Sequence, residues 1–181
     1  HFEDYAEGRA LLPSYEPFFV EQTDAPRIFT LTINKDAVDL NEAGKKIGQF
    51  DNPDSSHDVY LLPDGGYKMI VSNFRKEPAA AFITNADFSL IKVSLFGNKR
   101  NWVFGLNNAI MIAFAFSGAQ KDLLLIHASV TMKDGKGYLF LGKSGTGKST
   151  HSQLWLKHIP GTELLNDDNP AVRLINDEVI V

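Results

Sequence analysis

Residues 138–158 read YLFLGKSGTGKSTHSQLWLKH. An apolar run enters an eight-residue segment with three glycines, and a stretch with helical character leaves it. Gly142 to Ser149 matches G-x-x-x-x-G-K-[ST] at every fixed position. At average residue usage, a chance match in a chain this long is on the order of 1%. Glycines let the backbone curl until successive N–H groups point inward at phosphate oxygens. The helix that follows adds its positive N-terminal end. The pattern therefore predicts that Gly142, Lys143, Ser144, Gly145, Thr146, Gly147, Lys148, Ser149 and Thr150 hold the phosphates of a nucleotide, ATP or GTP. Lys148 supplies a point charge at the β- and γ-phosphates, and Ser149 offers its hydroxyl to Mg²⁺. The bland alternative is a glycine-rich hairpin that binds nothing.

Composition narrows the class. Of the 181 residues, 44% are hydrophobic and 22% charged, which is ordinary globular usage. The net charge of −4 gives no sign of a nucleic-acid or anionic-membrane partner. The longest uninterrupted apolar stretch, Ala109 to Phe116, is far short of the roughly 20 residues of a membrane span. Cysteine is absent, so disulfides and thiol catalysis are excluded and a cytoplasmic location is the simple expectation.

The first hundred residues read as strands. Arg27–Asn34, Lys46–Asp51, Val59–Leu62, Tyr67–Phe74, Ala79–Thr84 and Leu90–Phe96 are apolar or alternating runs separated by turn residues such as Pro63-Asp64-Gly65-Gly66. From Trp102 to Phe116 apolar residues recur at three and four, which predicts a helix buried between layers. Beyond it, Leu123–Met132 reads as one buried strand, then an Asp-Gly hairpin leads to Tyr138–Leu141. A helix over Lys148–Lys157, a short strand over Glu163–Leu165, and a last hairpin of Ala171–Leu174 with Val179–Val181 complete the reading. The division expected is a β-rich region over 1–100 and a nucleotide-binding domain over 101–181. The fold class expected is α/β.

A loop of this kind identifies a triphosphate, not a reaction, so the neighbours must discriminate. Asp167-Asp168 stands nineteen and twenty residues after Lys148. In a parallel sheet the strand after the first helix can run beside the loop strand, with its carboxyl end facing the phosphates. Two carboxylates there suit two tasks, one holding Mg²⁺ and one accepting a proton from an attacking hydroxyl. Asn166-Asp167-Asp168-Asn169-Pro170 is also good turn chemistry. His127 interrupts an apolar run, where a lone histidine is more often a satisfied core residue than a ligand. His57, in a polar stretch, and His151 and His158, after the loop, read as surface or packing residues.

Taken together, I-H-A-S-V, the D-G-K-G turn, Y-L-F-L-G-K-S-G-T-G-K-S-T and L-L-N-D-D-N-P-A-V resemble the HPr kinase/phosphorylase catalytic domain. They also resemble its relative, ATP-dependent phosphoenolpyruvate carboxykinase. The resemblance covers roughly residues 103–175; upstream, Leu12–Phe18 (LPSYEPF) is similar to the leader of HPr-kinase-like proteins. It implies a P-loop domain of that type, with Asp167 and Asp168 as the catalytic acidic pair, Asp168 on the metal side. It further implies His127 as a ligand of a second metal. The sequence departs from HPr kinase at Thr150, where that family usually has Glu, and it stops at Val181, before the segment that recognises HPr. With so few strands after the loop helix, the sheet is expected to be incomplete.

The expected function is a kinase using ATP or GTP with Mg²⁺ and transferring a phosphoryl group to a hydroxyl of a protein or small molecule. Homo-oligomerisation is open to such a chain. Two rivals stand beside it. A small-metabolite kinase of the shikimate or gluconate type also has acidic residues soon after the loop helix, but begins at the loop strand. A non-catalytic nucleotide-sensing module would bind and not transfer. The absence of L-S-G-G-Q counts against a transporter ATPase.

Overall fold

A computed structural model describes residues 5–21, 23–34, 38–41, 44–51 and 55–181. The remaining positions, all in the region expected to be β-rich, lie outside the described residues. The chain divides into two compact units, 1–117 and 118–181.

In the first unit a short helix α1 (Tyr5–Ala10) and a 3-10 turn (Pro13–Phe18) precede six strands. These are β1 (Thr30–Ile33), β2 (Lys45–Asp51), β3 (Ser55–Leu61), β4 (Tyr67–Asn73), β5 (Pro78–Thr84) and β6 (Leu90–Leu95). Strands β2 to β6 form an antiparallel meander, and β1 adds to its edge in parallel with β6. Helix α2 (Lys99–Ala119) supplies the second layer. Val59, Met69, Val71, Phe82, Ile91 and Val93 of the sheet pack with Ala109 and Ala113 of α2 in one buried cluster. The approach is close because Gly105 faces β5. A Cβ there would stand 2.7 Å from Ala80 Cβ and 2.8 Å from the Ala79 backbone. On another side of α2, Leu106 packs with Leu11 and Leu12. By length and composition α2 is apolar enough to cross a membrane, yet its small-residue stripe covers the sheet of its own unit. Met111 and Phe116 remain exposed, so the helix is covered on its sheet-facing and Leu106 sides but not all round. His57 lies within β3, not in a loop, and its Nε2 meets Asn108 Oδ1 of α2 at 3.3 Å.

The second unit holds β7 (Leu123–Leu125), β8 (Ala128–Lys133), β9 (Lys136–Leu141), α3 (Lys148–His158), β10 (Glu163–Asn166), β11 (Ala171–Ile175) and β12 (Glu178–Ile180). They form two three-stranded sheets, β10-β8-β9 and β12-β11-β7, every pairing antiparallel. The continuous strand expected over Leu123–Met132 is two, broken at Ile126-His127, where the chain leaves one sheet for the other.

The expected α/β class is thereby corrected, and with it the P-loop domain of the HPr kinase/carboxykinase type. The chain is β-rich, with a six-stranded mixed sheet, two small sheets and few helices. An α/β layout needs parallel neighbours joined by helical crossovers. Here β8 occupies the place beside the loop strand β9 that such a layout assigns to the strand following the loop helix. The strand that follows, β10, pairs on the far side of β8.

Candidate functional site: the glycine loop and the acidic turn

Strand β9 ends at Leu141 and the glycine loop follows at once. The loop closes on itself. Thr146 donates to Lys143 O through its backbone N–H at 3.2 Å and through Oγ1 at 2.7 Å. Gly142 is required by that closure, since a Cβ there would stand 2.6 Å from Thr146 Oγ1. Gly145 and Gly147 have φ of 80° and 90°, in the left-handed region that favours glycine. The curl expected from the glycines is therefore present. Lys148 Nζ folds back and donates to Gly142 O at 3.0 Å and Lys143 O at 3.2 Å. Gly147 is the N-cap of α3 and supplies no side-chain cap. The first-turn N–H groups of a helix have no intrahelical partner, so the donors at Lys148, Ser149 and Thr150 suit an anion. Ring contacts hold α3 on β9, with Tyr138 and Phe140 against Trp155 and Phe140 against His151.

The acidic pair lies in the turn after β10. A register shift between Leu164 and Asn166 interrupts its pairing with β8 just before the carboxylates, which re-aims the chain there. Asn166 Oδ1 accepts from the Asp168 N–H at 3.0 Å, and Asp168 Oδ2 accepts from Asn169 Nδ2 at 2.9 Å. The backbone of this turn laces the break between β7 and β8: Ala128 N–H donates to Asp168 O at 3.0 Å and Ile126 N–H to Pro170 O at 3.1 Å. His127 sits between those two donors, in the same break, and is exposed. It is not a satisfied core residue.

Pairing geometry brings the loop and the acidic turn together. Both β9 and β10 run antiparallel to β8, so both end where β8 begins. Leu141 pairs with Ala128, and Asn166 pairs with Val130. The glycine loop, Asp167, Asp168 and His127 thus meet at one end of a single three-stranded sheet. Two residues that sequence reasoning missed also stand there. Ser129 Oγ donates to Asp167 Oδ1 at 2.6 Å, and Ser152 Oγ lies 2.5 Å from Ser129 Oγ. One signal was available: Ser152 falls four residues after Lys148, one helical turn on, so both project from one face of α3.

Among the described residues, no group of three or more His, Asp or Glu side chains is gathered as a metal cage. Ser149 lies in the first turn of α3, whose start carries no side-chain cap, and Asp168 lies in the exposed turn after β10. No family model and no curated protein matches this chain.

Proposed function

We propose that this chain is a nucleotide-dependent phosphotransferase of the HPr kinase-like class, acting on a hydroxyl of a protein or small-molecule acceptor. The observation that carries the reading is the convergence of the glycine loop and the Asp167-Asp168 turn on one end of the β10-β8-β9 sheet. Residues 142–150 bind the phosphates of ATP or GTP, and Lys148 and the loop amides offset charge on the transferring phosphoryl group. Ser149 and Asp168, with His127 available nearby, would hold Mg²⁺, whose positive charge would offset that of the phosphates. Asp167 accepts the acceptor's proton as its oxygen bonds to the γ-phosphorus, and the bond from that phosphorus to the β,γ-bridging oxygen breaks, releasing the diphosphate. The lack of cysteine suits a cytoplasmic setting, and neither a nucleic acid nor a membrane is a partner in this reading.

The test is nucleotide-induced thermal stabilisation with Mg²⁺ and ATP or GTP. At a ligand concentration of about 100 times Kd the wild type gains about 2.7 kcal/mol. Lys148→Ala is expected to remove that gain, and equal stabilisation of both proteins overturns the assignment. Binding without single-turnover transfer to any acceptor, water included, would leave a nucleotide-sensing module.

A further inference from the structure

Ser129 and Ser152 are sealed from solvent, at 1% and 0% exposure. Hydrogen counting orders their bonds. A carboxylate accepts only, and a hydroxyl has one hydrogen to give. Ser129 spends its hydrogen on Asp167 Oδ1, 2.6 Å away. At 2.5 Å, Ser152 must then donate to Ser129, in preference to Lys148 O at 3.3 Å. The sequence Ser152 to Ser129 to Asp167 is directed, with both buried hydrogens pointing toward one carboxylate. It joins three elements: α3, which begins with Lys148; β8, the middle strand; and the turn that ends β10. Both buried hydroxyls are satisfied by this chain, and removing a member takes one hydrogen-bond partner from a sealed polar atom.

We infer that Ser129 and Ser152 are positioning residues, a two-hydroxyl relay that ties Asp167 to the phosphate-binding helix and sets the orientation of its carboxylate. The inference rests on reading residues 142–149 as a nucleotide site. It also separates the two acids. Asp167 is anchored through Oδ1 to the sheet interior, which leaves Oδ2 to take the acceptor's proton in a set direction. Asp168 is bonded through Oδ2 to the adjacent Asn169 within an exposed turn, as suits a side chain that adjusts to a metal. The orientation of a base matters because small misplacements of reacting groups cost large factors in rate.

The experiment has two arms on the full chain. In the first, without nucleotide, urea unfolding is measured for Ser129→Ala, Ser152→Ala, Asp167→Ala and their pairwise doubles. The relay predicts non-additivity of about 5-fold or more in the unfolding equilibrium constant for Ser129 with each partner. Additive effects overturn it. In the second, Mg·ATP affinity and single-turnover ATP hydrolysis, with water as acceptor, are measured. Ser152→Ala and Ser129→Ala are expected to keep affinity within about 3-fold and slow hydrolysis by about 10- to 100-fold. Ser129→Thr, which keeps the hydroxyl, restores most of the rate, and none of these changes slows the Asp167→Ala background further. An equal slowing in that background, or a loss of affinity in place of rate, overturns the positioning role. If the wild type itself binds no Mg·ATP, the nucleotide reading fails and the positioning role falls with it, whatever the unfolding coupling. If the wild type binds and the couplings are absent, the relay alone is wrong.

Discussion

Phe82 and Leu141 are both apolar strand residues, yet Phe82 is fully buried and Leu141 is 67% exposed. The contrast holds for the units around them. In the first, Val71, Ala80, Phe82, Val93 and Leu106 are sealed, each at 0%. In the second, Leu124, Leu154, Leu164, Leu165, Leu174 and Val179 are exposed, and the buried strand β8 alternates Ala128 and Val130 with Ser129 and Thr131. Dispersion between apolar side chains is non-directional and spread over many weak contacts. A row of buried hydroxyls depends on where each hydrogen points. The first unit is thus held by packing, while the unit that carries the candidate site is held in good part by directed bonds.

The widest separation should come from one deletion made in both units. Phe82→Ala is expected to cost about 3–5 kcal/mol in urea unfolding, and Leu141→Ala to stay within about 0.5 kcal/mol. Equal costs would erase the contrast. Next is the helix–sheet approach. Gly105→Ala is expected to lose about 1–2 kcal/mol, although the same change in an open helix gains about 1 kcal/mol. A net gain would mean that α2 stands farther from β5. The third test stays on β8. Thr131 shares a face with Ser129, but its Oγ1 is buried without a hydrogen-bond partner. Thr131→Val is expected to raise stability by about 1 kcal/mol, whereas Ser129→Ala lowers it. If both destabilise alike, the face is held by its shape and not by its hydrogens.

The smallest effect concerns a surface turn of the first unit. Asp87 accepts from the Ser89 hydroxyl at 2.7 Å and the Ser89 N–H at 3.1 Å, and these bonds lower its pKa from the ordinary 3.8. A depressed carboxylate contributes stability that is present above its unfolded pKa and lost as pH falls through the folded one. An NMR titration should place the Asp87 midpoint below 3.8, and Ser89→Ala should move it back up. An unmoved midpoint would show that the turn is not held by these bonds.

Local chemistry was legible in the sequence where it acts over a few residues. The strands from Tyr67 to Leu95 and the helix after the glycine loop stand within a residue or two of their expected spans, because periodicity and turn residues act locally. Pairing order is a non-local property, and there the reading failed. Nothing in Glu163–Leu165 announces that it pairs with β8, or that the apolar run through Ile126-His127 divides between two sheets. The class error followed from treating the loop strand and the acidic strand as parallel neighbours. The acidic pair and the glycine loop could be named from their residue types. Ser129 could not, since a serine in an apolar strand carries no mark of a bond to a residue 38 positions away.

The interposed strand is also a ruler. Neighbouring strands lie about 4.8 Å apart, so two steps across β8 hold the end of β9 and the end of β10 about 10 Å apart. Direct adjacency would halve that gap. The acidic turn bridges part of that gap by folding back onto β8, where Ala128 N–H donates to Asp168 O and Ser129 Oγ to Asp167 Oδ1, so the carboxylate is held at the strand beside the loop strand. Strand β8 thus sets the spacing of the loop and the acidic turn from both sides, and a change in its pairing would alter that spacing without touching a single residue that bears the chemistry.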